Sequence, residues 1–498
     1  MNISDSFLSK LLRPVTLVLS ICIVAFISTA PQSVNDFWMQ AKVGEMILQN
    51  HAIPNTLIFP FTEASDYTFN AHEWLPSVIF HLMVMYCGED ALPFILGVLG
   101  LCFWSLVLLL AFRRSDGNFP LSLAAALMAT VVENYRHVLR PELLSLFIFI
   151  IFLSVLSEMT DKPSPFKLLY SCLLTVAWAN IHGSFILAPF IAGIFAFGSL
   201  VQDLKAAQDS RFFFSRFTRF FLCLLPLICF CLLLNPFGWG LVKFVFSFSN
   251  SLAAKQSIAE WLPITDFRLQ HVLGLWIGCL CILVTLIVCL PFSKHLVAVE
   301  LLLLAMVYIL SFRAVRFLVY AGIVSAYIIP HLLRDQLRSL RSQLFVYLVV
   351  SLFCIFLLNF SIRYGNANGD FPYQSDGGEV LSRPMIQVLS NANLRGNVFN
   401  SYDLGAELVY RAYPRLRPSI DSRIDSYGDA YFNYCDRLLT DGKEFSFFVK
   451  KYDVRYVLLT FDDFTIFSRQ QSYLNGDWVG VAFDRHSALL RRRDVELN

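Results

Sequence analysis

Charge is what this sequence has least of. Only 15% of its 498 residues are Asp, Glu, Lys or Arg, against roughly 25% in a soluble domain. Basic excess is also missing. The formal net charge is +2, which excludes the electrostatic footprint of a nucleic-acid-binding protein. Low hydrophobicity is missing too, since 56% of residues are hydrophobic, and that excludes a disordered chain. Of the twelve cysteines only Cys435 lies in polar sequence, so no disulfide framework is available there. Cys229/Cys231 and Cys279/Cys281 have C-x-C spacing without His or Asp neighbours, and they read as small hydrophobes. There is no tandem repeat and no low-complexity segment.

What is present is apolar surface. Mean hydropathy is +0.59, and Phe occurs 48 times. A soluble core of this length cannot hide so much of it. The fold class is therefore a polytopic α-helical membrane protein. Apolar runs near 14–31, 91–112, 120–133, 142–157, 166–181, 183–201, 217–235, 272–292, 295–311, 314–333 and 342–360 predict about eleven transmembrane helices. Lys10 and Arg13 precede the first run, which reads as a retained helix. The run 75–87 is shorter and reads as an interfacial helix.

Positive charge orients this count. With the N-terminus in the cytoplasm, fourteen Lys and Arg fall on the cytoplasmic side and eight in the opposite loops before residue 361. The positive-inside rule asks for this asymmetry. The expected organisation is a transmembrane domain over 1–360, with a long first extracytoplasmic loop over 32–90. An extracytoplasmic α/β domain follows over 361–498. It begins near Gly377-Gly378, with strands at Gly396–Asn400 and Val454–Leu459 and helices over Asp403–Tyr410 and Asp429–Leu439.

Under this topology the unusual polar residues share the extracytoplasmic side. They are Asn35-Asp36-Phe37-Trp38, His72-Glu73-Trp74, Arg136-His137, Arg140-Pro141-Glu142, Asn180-Ile181-His182-Gly183, Asn235-Pro236-Phe237-Gly238-Trp239, Glu260-Trp261, and Arg313 with Arg316. Polar groups at a membrane are costly and tend to mark function. A carboxylate such as Asp36 can take a proton from an acceptor hydroxyl or coordinate a divalent ion. The guanidiniums of Arg136, Arg140, Arg313 and Arg316 suit a lipid-linked phosphate or pyrophosphate. Arg313 and Arg316, three apart, are expected to share a helical face as a joint clamp. His72, Glu73 and His182 complete the candidate site.

Each residue also has a plainer reading. Asp36 can cap a helix starting at Phe37. Arg140 can snorkel to headgroups, and His182 can be a satisfied helix-end histidine. The tryptophans suit an interfacial belt. Asp421, Arg423 and Asp425 read as a structural ion network in the tail.

The motifs also resemble a group of bacterial GT-C-fold membrane glycosyltransferases. The resemblance rests on Asn35-Asp36-Phe37-Trp38, Gly44, Ile53-Pro54, Phe61-Thr62 and His72-Glu73-Trp74-Leu75 in the first loop. It continues through Arg140-Pro141, Trp178 to Gly183, Asn235 to Gly238, and Asp421 to Gly428. Where the group carries W-W-H after the aspartate, this chain has Phe37-Trp38-Met39. The resemblance implies an inverting enzyme that uses a polyprenyl-phosphate-linked sugar donor. It transfers a hexose or pentose to an extracytoplasmic acceptor, with Asp36 as general base. His72 and Glu73 stand beside that base as further catalytic candidates. Arg136, Arg140, His182, Arg313 and Arg316 are the substrate-binding candidates. No cofactor is certain, and a divalent cation (Mg or Mn) is left open. The expected partners are the lipid donor, membrane lipids and the acceptor, with no nucleic acid. The expected location is the bacterial inner membrane. A lipid-phosphate transporter or flippase, or a non-catalytic envelope assembly protein, are the alternatives.

Overall fold

The computed structural model describes residues 3–29, 35–206, 214–248, 259–269, 273–292, 296–368, 381–391, 393–484 and 486–495. Arg211, Lys255 and Lys294 of the charge count, and Gly377-Gly378, lie outside the described residues. The chain divides into two compact units. One holds residues 1–31, 90–242 and 258–375, and the other holds 32–89, 243–257 and 376–498.

The first unit is helical. Each of the eleven apolar runs is carried by a helix: Ile3–Ser28, Leu92–Arg114, Phe119–Asn134, Pro141–Asp161, Pro165–Ala179, Leu187–Ala206, Arg216–Cys231, Leu273–Cys289, Ala298–Arg313, Leu318–Leu333 and Leu340–Asn368. Six segments in the described residues are long and apolar enough to cross a membrane, by length and composition. Local sequence sets the starts. Proline occupies the first turn of the helices beginning at Leu92, Phe119, Pro141 and Pro165, where its missing N–H is not needed. Asn118 and Ser164 accept backbone N–H groups as caps. The helix Leu318–Leu333 is buried along most of its length. Gly322 lets its backbone approach Val132 and Ala129 of Phe119–Asn134, the close packing that small residues permit between membrane helices.

The second unit joins the first loop to the tail. The tail carries a five-stranded sheet in the order β2-β1-β3-β5-β4. The strands are β1 (Gly396–Asn400), β2 (Leu416–Pro418), β3 (Val454–Thr460), β4 (Trp478–Phe483) and β5 (Ser487–Arg492). β2, β1 and β3 are parallel, while β5 runs antiparallel to both β3 and β4. Side chains alternate between two cores, as the two-residue strand period requires. Val398, Tyr456, Leu458 and Leu489 enter one core with Leu404 and Leu408 of helix Tyr402–Ala412. Phe399, Val457, Leu459 and Leu490 enter the other with Phe445 and Phe448 of helix Gly442–Tyr452. Burial on both faces explains why β1 and β3 read as apolar runs in the sequence.

The first loop folds onto this tail. Helix Asn35–Asn50 packs on helix Trp74–Cys87, the segment expected to be interfacial. A side chain at Gly44 would overlap the Ser77 carbonyl, so glycine is needed where the two backbones meet. Three ties hold the loop. Asn35 bonds Tyr402 and Ala406 at its start. Phe61 N–H donates to Pro418 O, and Arg417 to Pro60 O, at its middle. Glu89 accepts two hydrogen bonds from Arg411 at its end. Loop 32–90, placed by the sequence reading with the transmembrane domain, therefore shares a compact unit with the tail.

Candidate active site

The candidate residues divide between the two units. In the first unit a buried ion cluster gathers Arg136, Arg140, His182 and Arg316 around two carboxylates, Glu142 and Glu260. Arg136 donates to Glu142 at 2.5 Å and lies 2.8 Å from Glu260. Arg140 reaches Glu260 at 2.8 Å. Arg316 lies 3.2 Å from Glu260 and 3.5 Å from Glu142, with its guanidinium 4.7 Å from the Trp261 ring. The side chains of Arg136, Glu142 and Arg316 are 9%, 10% and 11% exposed. Burial alone would push the Glu260 carboxyl up. The guanidiniums of Arg136, Arg316 and Arg140 offset this and hold it well below the usual carboxylate range. Three guanidiniums thus share two carboxylates in this cluster.

Short turns present these groups. Arg140 stands immediately before helix Pro141–Asp161, with Glu142 in its first turn. His182 caps the turn Gly183–Ile186, its Nδ1 accepting the Ser184 N–H at 3.2 Å. Its Nε2 faces Arg316 at 3.2 Å. Asn235 closes its own turn by accepting the Phe237 N–H at 2.8 Å. The joint clamp expected from Arg313 and Arg316 does not form. Arg313 ends the helix Ala298–Arg313 and is exposed. Ala314 is extended (φ −154°, ψ 128°), and Arg316 belongs to the next short turn, Val315–Phe317. The broken helix removes the shared face. His137, noted in sequence beside Arg136, serves structure instead. It bonds Glu133 at 2.7 Å and the Leu96 carbonyl at 2.9 Å, deep in the unit.

In the second unit Asp36 lies within electrostatic reach of Asp403, and His72 of Asp425. Helix Asn35–Asn50 begins one residue before Asp36, so Asp36 sits in the first turn and not at the cap. There the helix dipole favours its negative charge. Glu73 accepts from Gln40 at 2.6 Å, which ties the two loop helices. His72 Nε2 lies 3.7 Å from Glu73, and its ring lies 5.1 Å from that of Phe244.

The tail acids sit where the parallel strands end. Asp403 follows β1, Asp421 and Asp425 follow β2, and Asp462 and Asp463 follow β3. The chain leaves β1 for β2 on one side and later returns to β3 on the other. In such sheets ligand crevices lie outside the carboxyl ends of the strands at this switch.

Asp421 and Arg423 form a buried bidentate pair at 2.6 and 2.8 Å. Arg423 also donates to the Leu57 carbonyl at 2.7 Å and lies between the rings of Phe59 and Phe69, 4.7 and 4.6 Å from them. That pair is the structural ion network anticipated in the tail. Asp425 lies within electrostatic reach of both; burial raises its pKa, and His72 and Arg423 oppose that shift.

Asp403 was read from sequence only as a helix start. Solvent reaches its side chain, yet crowding by protein, then Asp463 and Asp36, raises its carboxyl to about 6. Glu142 and Glu260 were visible as polar clusters without an assigned role. The signal available for them was an acid placed beside an Arg or a Trp at a helix start or turn. Among the described residues, no three His, Cys, Asp or Glu side chains converge in a way that would hold a metal ion. No step is therefore derived through the cation left open above.

No family model matches the chain, and no curated protein matches it. Solved structures do. The oligosaccharyltransferase of the archaeon Archaeoglobus fulgidus, tethered to an acceptor peptide, superposes with a TM-score of 0.60 at 15% identity. The match covers 93% of this chain and 72% of that one. The same enzyme with Zn and sulfate gives 0.59 at 14%, covering 93% and 71%. With an inhibitory peptide and a dolichol-phosphate it gives 0.59 at 13%, covering 97% and 75%. These likenesses define the class: a polytopic helical membrane protein with the GT-C glycosyltransferase fold. Within that class this chain pairs the helical unit with a small C-terminal sheet.

Proposed function

We propose that this protein is a GT-C glycosyltransferase of the bacterial inner membrane. It moves a sugar, hexose or pentose, from a polyprenyl-phosphate-linked donor to an extracytoplasmic acceptor. In this reading the N-terminus is cytoplasmic, and the first loop and tail are extracytoplasmic. Asp36 removes the proton from the acceptor hydroxyl. The acceptor oxygen then bonds to the anomeric carbon, and the carbon–oxygen bond to phosphate breaks with its electron pair staying on the lipid phosphate. In the helical unit, Arg136, Arg140 and Arg316 are suited to a lipid-linked phosphate. His182 orients Arg316, and Glu73 fixes the loop helices that carry Asp36. Exposed Arg313 meets lipid headgroups.

The observation that carries the reading is the gathering of Arg136, Arg140 and Arg316 in one buried cluster, in a fold like that of an enzyme solved with a dolichol-phosphate. The test is Asp36→Asn in the full chain, assayed in membranes with polyprenyl-phosphate hexose and pentose donors. Transfer should vanish while expression and insertion persist. A variant as active as the parent would remove Asp36 as the base.

A further inference from the structure

We propose that Arg113, Glu158 and Lys167 form the headgroup end of a binding site for one anionic phospholipid of the surrounding bilayer. The three residues belong to three helices of the helical unit. Arg113 lies in the last turn of Leu92–Arg114, Glu158 in the last turn of Pro141–Asp161, and Lys167 in the first turn of Pro165–Ala179. The first two helices are long and apolar enough to cross a membrane, so their ends mark the depth of lipid headgroups. Glu142 of the guanidinium cluster stands at the opposite end of helix Pro141–Asp161, which makes the two sites distinct. In the orientation proposed above, this end faces the cytoplasmic leaflet.

A groove of about 320 Å³ is lined by these three residues and by Leu106, Leu109, Ile150, Ile151 and Val155. Phe166 and Tyr170 also line it, with their rings stacked at 6.3 Å between centroids. Leu106 and Ile150 precede Arg113 and Glu158 by about two turns, roughly 11 Å along a helix. The groove is therefore apolar along its length and charged at one end. An anionic phospholipid has the same pattern, with an acyl chain for the apolar wall and a phosphate for the cations. Basic pockets between membrane helices take such headgroups.

The cations hold their present partner loosely. Glu158 accepts a hydrogen bond from Arg113 and lies 3.2 Å from Lys167. It is the one carboxylate that pairs with either cation among the described residues. Arg113 also donates to Ser154 at 3.0 Å. The side chains of Arg113 and Glu158 are 49% and 40% exposed, and a pair so exposed contributes little stability. Turning the cations from Glu158 to a phosphate thus costs the fold little. Lys167 also sits where the helix dipole disfavours a cation and favours an anion, a mismatch that a bound phosphate relieves. Asp161 and Lys162, next along the chain, are exposed and offset one another.

The experiment is native mass spectrometry of the purified full chain, equilibrated with equal amounts of phosphatidylglycerol and phosphatidylcholine of identical acyl chains. Acyl contacts are then the same, and the bound ratio reads the headgroup alone. The parent should retain one phosphatidylglycerol in preference to phosphatidylcholine. Arg113→Gln and Lys167→Gln should each lower that preference about fivefold, the size of one basic residue at a membrane surface. Glu158→Gln removes the competing carboxylate and should raise the preference by a similar factor. Misfolding cannot imitate a gain of binding. Lys205→Gln, in the last turn of helix Leu187–Ala206, should leave the parental ratio. A parent without preference overturns the inference. So does a parental ratio in both Arg113→Gln and Lys167→Gln, or a lowered ratio in Glu158→Gln. An equal loss in Lys205→Gln overturns it too, because the preference then belongs to basic surface in general.

Discussion

In the helical unit Arg136, Arg140 and Arg316 meet Glu142 and Glu260 at 2.5 to 3.5 Å. In the loop-and-tail unit Asp36, Asp403 and Asp463 face one another with the local cations bound to other acids. Both are charged clusters in an apolar chain, but they carry opposite burdens. The first sets three guanidiniums against two carboxylates. Partnered charges can remain buried, because each desolvation penalty is offset by the neighbour's field. The second places acids at the ends of three parallel strands, and perturbed acids concentrate at functional sites. The guanidiniums of the first cluster suit holding a charged group.

The comparison can be broken most sharply at Asp36. Replacement by Asn should lower transfer by about 10²–10⁴-fold, the range of a lost general base, measured as initial rate on the lipid-linked donor. Next comes the tie that frames the acids. Arg423→Ala leaves Asp421 buried without its partner, and should destabilise the loop-and-tail unit by about 3–5 kcal/mol. Protease accessibility of the loop and tail would report it, and a parental digestion pattern would contradict it. A smaller effect belongs to the guanidinium cluster. Glu260→Gln keeps the shape but removes one negative charge that faces Arg136, Arg140 and Arg316. Affinity for polyprenyl phosphate should rise roughly tenfold, a difference of about 1.4 kcal/mol, read by a ligand-induced rise in melting temperature. Weaker binding would mean that Glu260 orders the arginines instead of competing with the phosphate.

The smallest effect lies at Glu63. Hydrogen bonds from Tyr452 and Lys451 lower its carboxyl to about 2. That depressed value stabilises the fold above the unfolded pKa near 4.5 and is lost as pH falls toward 2. The side chain is 66% exposed, so Glu63→Gln should cost less than about 1 kcal/mol, measured as melting temperature at pH 6 against pH 3. A difference equal at both pH values would contradict the assignment.

Much of this architecture was legible in the sequence, because apolar period and length speak directly of helices and strands. Every apolar run became a helix, and Gly396–Asn400 is β1. The short strands β2, β4 and β5 escaped, since β2 and β5 hold polar members and β4 is a six-residue run interrupted by Gly480. Glycine at 44 was visible as part of a motif, but its reason, the Ser77 carbonyl, exists only once two helices meet. Arg136, Arg140, His182 and Arg316 do gather, around Glu142 and Glu260. Arg313 does not join them, because spacing assumed a continuous helix and Ala314 breaks it. That Asp36 lies within electrostatic reach of Asp403 was beyond any local signal. Nothing within a few residues of either position refers to the other.

The bond from Arg423 to the Leu57 carbonyl has a bearing on timing. It joins residues 366 positions apart, and the Asn35 clamp spans a similar distance. Synthesis runs from the N-terminus, so Asp36 leaves the ribosome early, while its clamp and its neighbouring acid follow hundreds of residues later. A half-made chain carries the candidate base in a loop with nothing to fold against. A chain stalled before residue 402 lacks both ties, and its first loop has neither of these tail contacts.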